Sequence, residues 1–292
     1  MAENMQDVKR RIKSVTSMEH ITNAMKLVSA AKMRRAKATF DRTNEQFRLI
    51  TESIRQVFSK ADNIPEKFAS RDEIKKTCYI ILTSNKGLCA GFNTNVIKEA
   101  ENLINKAESE PVIIAIGSRG RDYFSKRRYK IISEYLEAPE SITFQETQDL
   151  VAPVLRLYEE GEIDEIVLVY TAFVNTIQQD VTSRRMLPFD SEQISDFGSL
   201  DANHGTVKEV EYEPSADAVF NYLVKKYFEM MFFGSIIESA TCEHAARRMA
   251  MENATDNARE MLGDLELFYN RARQAAITNQ LIEIVSGSEA LK

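Results

Sequence analysis

The sequence of 292 residues predicts an α/β protein: a long antiparallel coiled coil of N- and C-terminal helices around a central domain with a mostly parallel sheet. Three observations predict it. Residues 1 to 64 contain neither proline nor glycine. Residues 214 to 292 hold one proline, Pro214 at their start, and three glycines, Gly234, Gly263 and Gly287. Between these stretches short apolar runs alternate with helical ones, the pattern of strands joined by right-handed crossovers. The expected boundaries are a helix over 1–64, an α/β domain over 73–210 and a second helix over 211–292.

The N-terminal helix has a seam at alternating steps of three and four through Met33, Ala36, Phe40, Thr43, Phe47, Ile50, Ile54 and Val57. A second seam runs through Met18, Ile21, Met25 and Val28, and a phase slip between the two is expected to change the winding locally. The outer face is read as Lys9, Arg10, Arg11, Lys13, Lys26, Lys32, Arg34, Arg35 and Lys37. The first sixty residues carry thirteen Lys/Arg against six Asp/Glu, in a chain of net charge −6. Such a basic arm points to an anionic partner, with a solvated face as the plain alternative.

Residues 65 to 72 read as a linker. Cys78 to Thr83 is a buried strand, followed by the Gly87 to Gly91 loop and a helix from Thr94 to about Glu108. Pro111 to Ile116 is a second strand and Tyr129 to Ile132 a third, after a short helix. Glu146 to Glu160 is helical, Glu165 to Thr171 is a fourth buried strand, and Ala172 to Leu187 suits an antiparallel pair at the sheet edge. Strands alternating with helices make this domain Rossmann-like. Residues 191 to 210 lack periodicity and read as an exposed loop.

In the C-terminal helix the seam runs Met230, Phe233, Ile237, Ala240, His244, Arg247, Met251, Ala254, Ala258, Met261, Leu265, Phe268, Ala272, Ala275, Asn279 and Ile282. A period near 3.5 marks a helix winding on a partner, and antiparallel pairing of the two terminal helices is the simplest way to bury both seams. At ~1.5 Å per residue this helix spans on the order of 100 Å. Toward its end Ile277, Leu281, Ile282, Ile284 and Val285 put apolar surface on several sides. A tip of that kind needs cover from another protein.

At 43% hydrophobic and 28% charged residues the composition is globular. Cys78, Cys89 and Cys242 are too scattered for a disulfide framework or zinc site. Acids at positions 3 and 7 and no apolar core argue against a secretory signal. The richest apolar window, Tyr227 to Ile237, is too short to span a bilayer, which needs ~20 residues.

The Gly87 loop sits where phosphates bind in doubly wound folds, but it matches neither G-x-G-x-x-G nor G-x-x-x-x-G-K-[ST], and a structural turn is favoured. Cys89 as a nucleophile would need His20, His204 or His244 to converge on it. Glu243-His244 lacks the second His of a zincin, and Glu159-Glu160-Gly161-Glu162 reads as a solvated helix end. No catalytic, metal or cofactor site is expected, and an acidic pI of about 5.4 argues against nucleic acid.

Three stretches then resemble the gamma subunit family of F-type ATP synthases: Ile21 to Arg34 (ITNAMKLVSAAKMR), Gly87 to Asn93 (GLCAGFN), and the blocks from Glu243 to Gly287 that include EHAAR, ATDNA, YNRARQAAIT and EIVSG. The resemblance implies a non-catalytic rotor shaft inside a ring of alpha and beta subunits, with the α/β domain as a foot near the epsilon subunit and the membrane rotor c-ring. It implies that Met25 and Lys26 face the beta subunits, that Arg273 and Gln274 form a polar catch, that Ile277, Leu281, Ile284 and Val285 form the shaft tip, and that Tyr212 and Glu213 belong to the foot. It also implies a peripheral place on the cytoplasmic face of a bacterial membrane. Ala90 stands where this family usually has Gly, and Gln280 where it has Glu.

Overall fold

The computed structural model describes residues 5–58, 68, 73–176, 178–189, 213 and 215–290. These form two compact units: residues 31–246, and residues 1–30 with 247–292. The expected linker, apart from Phe68, the loop over 191–210 and Tyr212 lie outside the described residues.

The chain order is α1 (Met5–Phe58), β1 (Lys76–Leu82), α2 (Phe92–Lys106), β2 (Glu110–Ile116), α3 (Ser118–Lys126), β3 (Lys130–Tyr135), a 3-10 turn (Pro139–Ser141), α4 (Phe144–Glu159), β4 (Glu165–Phe173), β5 (Gln179–Leu187) and α5 (Ala216–Ala290).

In the larger unit the five strands lie in the order β3-β2-β1-β4-β5. β1 pairs in parallel with β2 and β4, and β2 with β3, while β5 runs antiparallel to β4. The inner strands are apolar on successive residues because both faces are covered. On one face Tyr79, Ile81, Ile113 and Ala115 pack under Val96 and Ala100 of α2 and Phe124 of α3. On the other, Cys78, Ile80, Ile114 and Leu168 pack with Val151 and Tyr158 of α4 and with Phe228, Phe232 and Ile236 of α5. That middle stretch of α5 is buried nearly all round. α4 starts where Thr143 and Glu146 exchange side-chain and backbone hydrogen bonds in a capping box.

Two boundaries differ from expectation. α2 begins at Phe92, two residues early, because Phe92 is a core side chain. β3 runs on to Tyr135, since this edge strand alternates in burial and not in polarity, and Ser133 and Glu134 end the apolar run that the sequence shows.

Within this unit the predicted α1 seam holds: Ala36, Thr43 and Ile54 are buried, and Phe40, Phe47 and Ile50 are half-buried. Phe47 stacks on Tyr227 of α5 at 5.2 Å, and Thr43 lies against Gly234, so the two helices run antiparallel.

The smaller unit corrects the seam on both helices. In α1 the covered positions are Met5, Val8, Ile12, Val15, Glu19, Thr22, Lys26 and Ser29, in phase with Met33 and Ala36. No phase slip exists there. The apolar residues read as inward, Met18, Ile21 and Val28, are 57%, 60% and 56% exposed. In α5 the covered series is Met251, Thr255, Ala258, Leu262, Leu265, Tyr269, Ala272 and Ala276; Met261, Phe268 and Ala275 are exposed, each one residue before a covered position, and Ala254 is half-buried beside Thr255. Apolar residues lie both three and four positions after Ala258, Leu265 and Ala272, so the sequence pattern alone accommodates either series there. Only the buried Thr255 distinguishes the two, and it is a polar residue.

Candidate functional site

In an open α/β sheet ligands bind beyond the carboxyl ends of the strands where the order reverses, here beside β1. The residues there bind one another. The Asn93 amide oxygen accepts from the Ser84 N–H at 2.8 Å, and its amide nitrogen donates to Ser84 Oγ at 2.8 Å. Asn85 Oδ1 accepts from the Ser118 N–H at 2.8 Å, and Ser84 carbonyl from the Arg119 N–H at 3.1 Å, so two N–H groups of the first turn of α3 already have acceptors. Gly117, at φ +91, brings this turn so close that a Cβ would stand 2.1 Å from the Thr83 carbonyl oxygen. Cys89 and Phe92 pack with Cys242 and Ala246 of α5. The Gly87 loop is therefore a packed structural turn. Burial pushes the Cys78 thiol up to about 12 and that of Cys242 higher still, the opposite of an activated nucleophile. No group of His, Cys, Asp and Glu fit to hold a metal ion occurs among the described residues.

The surface of the smaller unit carries most of the residues singled out in the sequence. Around buried Val8, Met251 and Ala258, polar pairs cross between its two helices. Arg259 meets Glu19 at 3.0 Å, Thr255 donates to Thr22 at 2.8 Å, and Lys26 Nζ lies 3.9 Å from Glu252, which also holds Arg248 at 3.2 Å. Lys26 is thus turned toward the partner helix, whereas the sequence placed it on the outer face. Met25 is half-buried beside it. Arg273 and Gln274 are exposed, and Ile277, Leu281, Ile284 and Val285 are 48%, 58%, 68% and 60% exposed. Glu213 is exposed in the larger unit. Met18, Ile21 and Val28 add to the tip residues as outward apolar side chains of this unit, and exposed apolar surface of this kind marks interaction sites.

Sequence spacing missed a cluster in the larger unit. Glu140, in the 3-10 turn, accepts from Lys32 of α1 at 2.6 Å and faces Nε2 of the buried His244 of α5 at 3.5 Å. The His244 ring first, and Lys32 after it, hold the Glu140 carboxyl well below the usual carboxylate range against the opposing effect of burial.

Comparison with known proteins gives this geometry its context. The ATP synthase family profile matches residues 4–291. An ATP synthase gamma chain of Alkaliphilus metalliredigens is 42% identical over the full length of both chains. The chain belongs to the ATP synthase gamma-chain family. A sodium-ion-specific gamma chain of Acetobacterium woodii is likewise 42% identical over all of both chains. The fold recurs in the rotor of the Euglena gracilis mitochondrial ATP synthase, at a TM-score of 0.64 and 18% identity, covering 94% of this chain and 98% of that one. It recurs also in the Tetrahymena thermophila central stalk and c-ring structure, at a TM-score of 0.60 and 23% identity, covering 80% of this chain and 99% of that one. No helix among the described residues is long and apolar enough to cross a membrane.

Proposed function

We propose that this chain is the central-stalk rotor shaft of an F-type ATP synthase, coupling ion flow through the membrane sector to ATP synthesis or hydrolysis on the alpha and beta subunits. It performs no chemistry of its own. The observation that carries this is the end of α5, where Ile277, Leu281, Ile284 and Val285 stand in solvent at 48% to 68% exposure. Apolar surface of that extent is stabilised by a partner's apolar collar, and such contact has no directional bonds to break as the shaft turns.

On this reading Met25, Lys26, Arg273 and Gln274 face the beta subunits. Arg273 is exposed, and exposed ion pairs are worth ~0 to 1 kcal/mol, so its cation can meet and release one acidic loop after another, while Lys26 would have to share its ammonium with Glu252. Tyr212 and Glu213 belong to the foot, near the epsilon subunit and the c-ring, on the cytoplasmic face of the membrane. The proton or sodium ion that drives rotation passes through other subunits.

Removal of residues 277 to 292 tests the assignment. Co-purification with the alpha and beta subunits should fall while the α/β domain keeps its far-ultraviolet circular dichroism and cooperative melting. Full assembly of the truncated chain would overturn it.

A further inference from the structure

A cavity of about 440 Å³ lies in the larger unit between α1, the β4–β5 ribbon and α5. It is separate from the shaft surfaces and from the crevice at the end of β1. Its volume falls in the range of small-molecule sites, ~300 to 1,000 Å³. Phe40 and Phe47 of α1 and Met230 of α5 form apolar walls, while Tyr170 and Glu238 supply a polar floor and the exposed Arg184 stands at the rim.

Glu238 is the unusual group. One carboxylate oxygen is fixed by the Phe173 N–H at 2.8 Å, so the carboxylate cannot swing out to water without breaking that bond. It forms no ion pair among the described residues, and burial raises its pKa, with the Phe173 N–H, the Arg184 charge and a hydrogen bond with Tyr170 only partly offsetting this. A half-buried carboxylate held in place without a salt-bridge partner carries a desolvation cost, and a cation delivered to it recovers part of that cost. Arg184 stays beyond ion-pair distance on an edge strand, and its long stem can retract into solvent. Aromatic faces and a thioether favour the body of an organic cation.

We propose that this cavity binds a small amphipathic monocation, an aryl- or alkylammonium whose charged head meets Glu238 and whose apolar body lies between Phe40, Phe47 and Met230. The class follows from the fixed carboxylate and the walls. An anion of the same shape would have to approach Glu238 to reach the same apolar contacts.

Three ligands of one shape and different charge test this on the full-length chain by isothermal titration calorimetry: 4-phenylbutylammonium, 4-phenylbutyrate and 4-phenylbutanol. The ammonium should bind at least about tenfold tighter than the other two. Glu238→Gln should remove that advantage, Gly234→Leu should block all three by filling the wall, and Arg184→Ala should tighten the ammonium severalfold. Equal binding of the three ligands to the unaltered chain, or preference for the carboxylate, would overturn the proposal without recourse to any variant. So would undiminished ammonium binding by folded Glu238→Gln protein.

Discussion

The Thr255 hydroxyl of α5 donates to the Thr22 hydroxyl of α1 at 2.8 Å, in the covered seam between the two helices. Thr22 donates in turn to its own Glu19 carbonyl at 3.1 Å, while the Met251 carbonyl lies 2.7 Å from Thr255 as a second acceptor. Thr255 is fully buried. A buried hydroxyl costs little while satisfied and a good deal when its partner is removed. Thr22→Val alone should therefore cost about 1 kcal/mol, and the Thr22→Val, Thr255→Val double variant less than the sum of the two singles. Urea denaturation of the four proteins checks this; additive costs would show that the hydroxyls do not interact.

Glu140 ties together a turn, α1 and α5 in the larger unit, through Lys32 at 2.6 Å and His244 at 3.5 Å. Because half of Lys32 stays in water, Glu140→Gln should cost on the order of 2 kcal/mol, less than a fully buried pair. The folded-state pKa of Glu140 is depressed from an ordinary value near 4.5. Its contribution is therefore complete above that value and is lost as the pH falls through the folded one. The gap in urea midpoint between the parent chain and Glu140→Gln should shrink as the pH falls below about 4.5. A gap that widens in acid would reverse the assignment.

The sheet was legible because β1, β2 and β4 are buried on both faces and leave unbroken apolar runs. The antiparallel edge was legible from the weaker alternation between Ala172 and Leu187. The first thirty residues of α1 misled for a physical reason: its inward positions are Glu19, Thr22, Lys26 and Ser29, while Met18, Ile21 and Val28 point outward. Hydrophobic periodicity finds an apolar stripe without telling which neighbour covers it. The Glu140 cluster joins residues more than a hundred positions apart, and no local spacing signals it.

The alanine at position 90 has a visible structural consequence. Ala90 sits at φ 48 and Leu88 at φ 65, both in the left-handed region. A Cβ there costs roughly 1 to 2 kcal/mol, of which the greater chain entropy of glycine in the unfolded state takes back a part. Ala90→Gly should thus stabilise the chain by about 0.5 to 1 kcal/mol, seen as a higher Tm. A lower Tm would mean that the alanine methyl makes packing contacts worth more than the strain.

Lys26 needs a variant that separates two effects, because its ammonium lies 3.9 Å from Glu252. Lys26→Glu would set two carboxylates side by side in the helix pair as well as reversing the surface charge. The exchange Lys26→Glu with Glu252→Lys restores the pair. If Lys26 meets acidic loops of the beta subunits, the exchanged chain should assemble normally and melt within about 0.5 kcal/mol of the parent, yet pump fewer ions per ATP hydrolysed. Unchanged coupling would remove Lys26 from that role.

The tip separates stability from assembly most sharply. Leu281 and Ile284 are 58% and 68% exposed, and among the described side chains up to Gly287 none after Ala276 is covered. Beyond that position no packing within the chain is lost when a side chain changes, so Leu281→Asp with Ile284→Asp should leave the free chain within about 0.5 kcal/mol of the parent. In an apolar collar the same two carboxylates would be desolvated without partners, at a cost of several kcal/mol. Reconstitution with alpha and beta subunits should then fail or yield a complex that dissociates at concentrations where the parent complex holds. A destabilised free chain would show that the tip packs on its own protein; an intact complex would show that it is left in water after assembly.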